Sequence, residues 1–428
     1  MIAVTLAVLF GLLALTVPIA ATLGVLGLTL DQFYSFLPLT VMMGEIAWTG
    51  STSFILVAVP FFILLGEILL RAGIAERMYN AMIQWVSWLP GGLMHSNIAA
   101  CALFAATSGS SVATAATIGT VSLGEVKKYK YNERLFLGTI TAGGTLGILI
   151  PPSINMIIYG VLTDTSIPQL YLAGFVPGFV LAALFMLTVV IACRIKRSWS
   201  GIKPKTTWDA RIKSLPDLIP PLLIFTVVIG SIYSGLATPT ESAALGVIGA
   251  LILAAWKRRL TFAMLRQALE GTMRTTAMIM AIILAALFLN AVFASIGLSY
   301  KVNSLITELG LSPMETLIIV IIFYFILGMV MDTLSMMLAT VPIIAPVIIS
   351  LGFDPIWFGI LIMLLNEASL ITPPVGGNLF VVQGIRQGGQ IHDVMIGTLP
   401  FVVTLMVMIV VLVLFPDIAL WLPSVFSN

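Results

Sequence analysis

The sequence predicts an all-α polytopic membrane protein, folded as two inverted repeats that each hold a re-entrant helical hairpin and a broken transmembrane helix. Three observations carry this expectation: an apolar composition, basic residues confined to one side, and motifs that recur about 222 residues apart.

Of 428 residues, 60% are hydrophobic and 9% are charged, with a mean hydropathy of +1.13. Soluble domains carry about 25% charged residues. The charges that would cover an aqueous surface are missing here, so the lipid bilayer must solvate much of the outside. The net charge of +2 gives no reason to expect nucleic acid. Cys101 and Cys193 lie in apolar runs and imply no disulfide framework. With only His95 and His392, and no HExxH or CxxC, metal chemistry is disfavoured. The apolar N-terminus lacks a basic leader and outruns a signal-peptide core, so it reads as retained membrane helix.

Crossing the hydrocarbon takes about 20 apolar residues. Candidate spans in the first half are 2–16 and 18–30 (a tight pair or one kinked segment), 54–70, 135–162 and 170–193. The second half offers 218–234, 243–256, 277–296, 358–382 and 394–414. Two further stretches, 98–123 and 317–349, are polar in the middle and read as re-entrant, which leaves ten crossings. With the loop Arg194–Lys213 in the cytoplasm, 19 of the 20 Lys and Arg fall on that side and only Lys301 lies opposite. Outright crossing by either stretch would destroy this agreement. Both termini are then periplasmic, in the inner membrane of a Gram-negative host. Trp48, Trp256, Trp357 and Trp421 fall at span ends, as an aromatic belt requires. Segments 74–88 and 260–275 are amphipathic and read as interfacial helices, although the second fits an extension of its neighbouring span equally well.

The repeat is read from collinear matches. Leu23-Gly24-Val25-Leu26-Gly27 recurs as Leu245-Gly246-Val247-Ile248-Gly249, and Pro151-Pro152 as Pro373-Pro374, both displaced by 222 (245 − 23; 373 − 151). Asn155 and Asn378, Gly174 and Gly397, and Pro177 and Pro400 follow at 223 (378 − 155). The expected organisation is a first repeat over 1–197, with its hairpin near 97–126 and broken helix near 134–165. A basic linker covers 198–216. The second repeat covers 217–428, with its hairpin near 314–350 and broken helix near 356–385. Five crossings per half, an odd number, force the second copy to be inverted. Such repeats typify secondary transporters, with the substrate near the midplane.

Candidate chemistry sits where polar and helix-breaking residues interrupt apolar sequence. Each half has a hairpin turn, Thr107-Ser108-Gly109-Ser110-Ser111 or Asp332-Thr333-Leu334-Ser335. Each also has a mid-span break, Gly143-Gly144-Thr145 to Pro151-Pro152-Ser153-Ile154-Asn155, or Asn366-Glu367 to Thr372-Pro373-Pro374-Val375-Gly376-Gly377-Asn378. Proline removes an N–H and frees a carbonyl, and glycine loosens the helix. Backbone opened at membrane depth persists only where it lines a cavity or binds something. Freed carbonyls and side-chain oxygens suit Na⁺, while the half-helix N-termini offer N–H groups to an anion. Asp332 is the most isolated acid and reads as an ion or substrate residue. Glu367 divides between an ion site and structural hydrogen bonding. Glu67 reads as an i,i+4 partner of Arg71, and Glu241 as a capping box with Thr238.

The chain resembles the large membrane subunit of the tripartite ATP-independent periplasmic transporters, in the wider ion-transporter superfamily, over essentially its whole length. The most specific parts are Ser108-Gly109-Ser110-Ser111, Ile150-Pro151-Pro152-Ser153 and Thr372-Pro373-Pro374-Val375-Gly376-Gly377-Asn378. The resemblance implies an elevator-type transporter, with the hairpins and broken helices moving against a rigid scaffold. It implies Na⁺ symport of an organic acid such as a sialic acid or C4-dicarboxylate, without an organic cofactor. The implied partners are a small four-helix membrane subunit and a periplasmic substrate-binding protein. Substrate would meet Ser108, Ser110, Ser111, Ser153, Asn155, Asp332 and Asn378. Na⁺ would lie near Ser108, Gly144, Thr145 and Pro151 in one copy, and near Thr333, Thr372, Gly376 and Gly377 in the other. A stand-alone carrier or antiporter of the same superfamily is the nearest alternative. An integral-membrane enzyme lacks a visible catalytic set, and a channel suits inverted repeats less well.

Overall fold

The computed structural model describes residues 1–36, 38–204, 206–386 and 388–426; Lys205, counted above with the basic linker, and the last two residues of the second repeat lie outside these. The described residues form helices and connections without strand.

The first half contains α1 (Ile2–Ala14), α2 (Ile19–Tyr34), α3 (Met43–Ser51), α4 (Ala58–Arg71) and α5 (Ile74–Val86). After these come α6 (Leu93–Ser108), α7 (Ser111–Lys128), α8 (Glu133–Leu149), α9 (Ile154–Thr163) and α10 (Ile167–Ile195). A short helix, α11 (Trp208–Ser214), lies in the linker. The second half contains α12 (Ile219–Tyr233), α13 (Pro239–Trp256), α14 (Phe262–Ser295) and α15 (Leu298–Glu308). It continues with α16 (Pro313–Gly328), α17 (Thr333–Ser350), α18 (Pro355–Ile371), α19 (Gly377–Ile385), α20 (Ile391–Leu414) and α21 (Asp417–Phe426).

The offset seen in the motifs holds for whole elements. Helices α7 and α17 both have 18 residues and begin 222 positions apart (333 − 111), and α8 and α18 both have 17 and begin 222 apart (355 − 133). The break between α8 and α9 bends the chain by 40°. Both Pro-Pro steps, Pro151-Pro152 and Pro373-Pro374, are cis. Thr145 and Glu367, themselves 222 apart, touch through their side chains at 3.4 Å. A position that meets its own repeat equivalent lies on the axis relating the two copies, so α8 and α18 cross at the pseudo-two-fold. Both are buried throughout, α8 over Leu135–Leu149 and α18 over Trp357–Ile371. The core therefore sits on that axis.

Local chemistry sets the helix starts. Thr238-Pro239-Thr240-Glu241 forms the expected capping box: Thr238 Oγ1 accepts from the Glu241 amide, and the Glu241 carboxylate accepts from the Thr238 amide at 2.8 Å. Ser312-Pro313-Met314-Glu315 builds the same box at α16. Among the described residues, six helices are long and apolar enough to cross a bilayer alone, rising to nine if each bent pair is one span. Helix α17 meets that length, but it packs against α16 just as α7 packs against α6, giving one hairpin in each half.

Two local expectations resolve differently from each other. Segment 74–88 yields a separate helix, α5, set off from α4 by Gly73 in the left-handed region. Segment 260–275 does not become a separate interfacial helix; it is the first part of the 34-residue α14 and runs on into the crossing. No proline interrupts Phe262–Ser295, so nothing ends the helix at the interface. Residues 2–30 form two helices in contact, not one kinked segment.

Candidate functional site

A cavity of about 930 Å³ lies where the hairpin turns and helix breaks meet. One wall comes from residues 108–113 at the first hairpin turn, 332–335 at the second, Ile154 and Asn155 at the start of α9, and Gly377 at the start of α19. The opposite wall comes from the start of α2, from Ile63, Gly66, Glu67 and Leu70 on α4, and from α14 between Thr275 and Ile282.

The turns present helix ends to this space. Gly109 ends α6 at φ +61°, and its N–H donates to the Ala105 carbonyl at 3.0 Å. A Cβ there would come within 2.7 Å of the Pro152 carbonyl oxygen, so the turn is seated directly on the first break. Ser110 then caps α7, its Oγ accepting from the Ala113 amide at 3.4 Å. Its equivalent 222 residues on (332 − 110) is Asp332, which caps α17. Asp332 Oδ2 accepts from the Ser335 amide at 3.1 Å, and Oδ1 accepts from the Ser335 hydroxyl. Ser153 caps α9. Four helix N-termini (α7, α9, α17 and α19) thus contribute residues to one cavity, which no Lys or Arg among the described residues lines. Aligned N–H groups and the helix dipoles offer donors to an anion, set against the carboxylates of Asp332 and Glu67 that line the same space.

Behind the wall lies a buried polar layer. Ser111 Oγ donates to the Thr145 carbonyl at 3.1 Å, fastening the first hairpin to α8. Thr145 Oγ1 contacts both the Ala142 carbonyl, at 2.8 Å, and Glu367. Asn378 Nδ2 donates to the Thr141 carbonyl at 3.2 Å, beside Gly144. Asn366 Oδ1, Glu367 Oε1 and Asn378 Oδ1 are buried acceptors with no hydrogen-bond donor among the described residues. Leaving such atoms unpaired is costly, and a cation would satisfy acceptors that no protein donor reaches.

The structure brings Ser108, Ser110, Ser111, Asn155, Asp332, Thr333 and Gly377 to the cavity wall. It places Ser153, Asn378, Gly144, Thr145, Pro151, Thr372 and Gly376 outside the cavity lining, within the breaks or packed behind them. Asp332 is exposed, but its carboxylate is also committed to capping. Glu67 forms its expected pair with Arg71 and, unforeseen, also lines the cavity. An acid inside an apolar span was the available signal; the i,i+4 arginine masked it.

Paired hairpins and paired broken helices around one cavity define a membrane transporter of the inverted-repeat class. The chain belongs to the family described as tripartite ATP-independent periplasmic transporter, DctM component, whose profile it matches over residues 6–418. It is 35% identical over 378 residues to the C4-dicarboxylate TRAP transporter large permease protein of Pseudomonas aeruginosa, covering 87% of each chain. It is 33% identical over 380 residues to the sialic acid TRAP transporter large permease protein of Vibrio cholerae, covering 88% of each. Among solved structures it shares its fold with the YdaH transporter of Alcanivorax borkumensis. That match has a TM-score of 0.66 at 15% identity, over 90% of this chain and 88% of that one.

Proposed function

We propose that this chain is the permease subunit of a Na⁺-coupled importer of an organic acid, handed over by a periplasmic binding protein and assembled with a small four-helix membrane subunit. The observation that carries the reading is the convergence of four helix N-termini on a cavity that no basic side chain lines. An acid placed there would have its charge met by N–H groups, by the hydroxyls of Ser108, Ser110 and Ser111, and by bound Na⁺. The orphaned acceptors on Glu367 and Asn378, with the freed carbonyls of both breaks, supply oxygen ligands for the cation. Ser153, Thr145, Pro151, Thr372 and Gly376 then support the ion and backbone geometry from behind.

The orientation is the one that puts the basic residues in the cytoplasm, with both termini in the periplasm and the chain in the inner membrane. The cavity wall at Glu67, Leu70 and Thr275 adjoins Arg71 and Arg274, so in this arrangement the cavity opens inward. Import follows when the hairpins and broken helices slide as a unit against the α2, α4, α13 and α14 scaffold. The dicarboxylate and sialic acid relatives stand at 35% and 33% identity, a margin too small to choose between the two acids.

Proteoliposomes containing the chain and its small subunit test this, with labelled succinate or sialic acid offered with and without the binding protein. Uptake of either acid that requires the binding protein supports the tripartite reading. Equal uptake without it makes the chain a stand-alone carrier.

A further inference from the structure

A second cavity, of about 260 Å³, lies away from the breaks, where α4 turns into α5 at Gly73. We propose that it is a binding site for the phosphate headgroup of an anionic phospholipid. Arg77 and Asn80 enter it from α5, and Lys257 and Arg259 enter it from the end of α13; Glu76 is its one carboxylate. Three cations therefore face one acid. Arg77 is held only loosely by Asp217, at 3.8 Å, and no ion pair forms at Lys257 or Arg259 among the described residues. No side chain caps the first turn of α5, whose amides open beside these groups.

The surroundings favour a lipid over a soluble anion. Helix α5 buries Ile74, Ala75, Met78 and Tyr79 while exposing Glu76, Arg77 and Asn80, the pattern of a helix lying in the interface. Trp256, 76% exposed, stands next to Lys257 as an interfacial anchor would. Basic pockets between membrane helices on this face suit acidic headgroups. The preference of basic residues for one face explains which side they occupy. It does not explain why three of them, from two distant segments, converge on a concavity at a glycine hinge.

The second repeat sharpens the point. Gly297, at φ +63°, begins α15 just as Gly73, at φ +70°, begins α5. Counted from that hinge (297 − 73 = 224), the equivalent of Arg77 is Lys301, whereas the motif offset of 222 puts Ser35 at the equivalent of Lys257 (257 − 222). The hinge and its first cation are duplicated; the basic residue that completes the pocket from the other segment is not. Helix α5 connects the scaffold helix α4 to the first hairpin and packs on both α6 and α7. A headgroup bridging Arg77 to Lys257 and Arg259 would tie that arm to the scaffold.

The test is thermal unfolding of the full chain in detergent, titrated with phosphatidylglycerol, phosphatidylcholine or inorganic phosphate. Wild type is compared with Arg77→Gln/Lys257→Gln/Arg259→Gln and with a charge-matched control, Lys127→Gln/Lys128→Gln/Lys130→Gln. Phosphatidylglycerol should raise the midpoint of wild type and control by several degrees, and leave the pocket variant unmoved. Native mass spectrometry should show the co-purified acidic lipid lost from the pocket variant alone. Arg259→Gln by itself, at an exposed position, provides a second variant should the triple one fail to fold; it should weaken the response. Equal stabilisation of pocket variant and wild type would overturn the proposal. So would inorganic phosphate matching phosphatidylglycerol, which would leave a soluble-anion site.

Discussion

Asp332 does two things at once, and substitution separates them. It caps α17 through the Ser335 amide at 3.1 Å and the Ser335 hydroxyl, and it brings a carboxylate to the wall of a cavity read here as taking an acid. Asparagine keeps an acceptor oxygen for the cap, whereas alanine forfeits it at a cost of about 1 kcal/mol. The charge matters on a larger scale. A Na⁺ about 4 Å from that carboxylate is attracted by about 4 kcal/mol at an effective dielectric of about 20, so removing the charge should weaken the hold on the ion. Asp332→Asn should therefore unfold close to the wild-type midpoint, yet need at least tenfold more Na⁺ for half-maximal uptake. Asp332→Ala should show the same Na⁺ defect with a lowered midpoint. The assay is Na⁺ titration of uptake in proteoliposomes, with unfolding followed in parallel. Wild-type Na⁺ dependence in Asp332→Asn would refute the reasoning and leave Asp332 as a helix cap.

Gly109→Ala puts a Cβ on a left-handed residue and against the Pro152 carbonyl; it should lose roughly 1–2 kcal/mol or more of stability and most uptake. Unfolding midpoints and initial rates would show both. Glu367→Gln keeps a side chain of the same shape against Thr145, and should fold normally while weakening Na⁺ dependence. Glu367→Ala empties a fully buried position at a cost of about 2–4 kcal/mol, read as a lower midpoint; a wild-type Na⁺ titration for Glu367→Gln would remove it from the ion site. Ser312→Ala and Thr238→Ala should each cost about 1 kcal/mol through their capping boxes, leaving the KM for the acid unchanged.

Much of the fold was legible because membrane physics writes it plainly. Long apolar runs located many of the helices, and the polar residues in the middle of 98–123 and 317–349 marked where helix gives way to a turn in each. The Pro-Pro pairs marked both breaks. Helix ends were harder. The Thr238 box was read and the Ser312 box was not, although Ser-Pro-Met-Glu carries the same signal. Segment 260–275 stayed open between two readings because amphipathicity shows which face is polar and not where a helix stops; α5 is set off at Gly73, whereas α14 meets no breaker strong enough to end it, so the extension reading holds. The lining of the candidate cavity was foreseeable on the side of the hairpins and breaks, where polar residues interrupt apolar sequence. Its other wall was not, since Glu67 and Thr275 reach the cavity only through the way α4 and α14 pack. The split between cavity-lining residues such as Ser110 and buried ones such as Ser153 also depends on tertiary contacts that periodicity does not encode.

On the function proposed above, Na⁺ and helix ends hold the acid with no basic side chain. Binding of labelled acid to the solubilised chain and its small subunit, in matched NaCl and KCl, tests this most directly. Saturable binding in Na⁺ that collapses in K⁺ is the predicted result. Equal affinity in the two salts would contradict the account, because the four N-termini would then hold the acid without the ion.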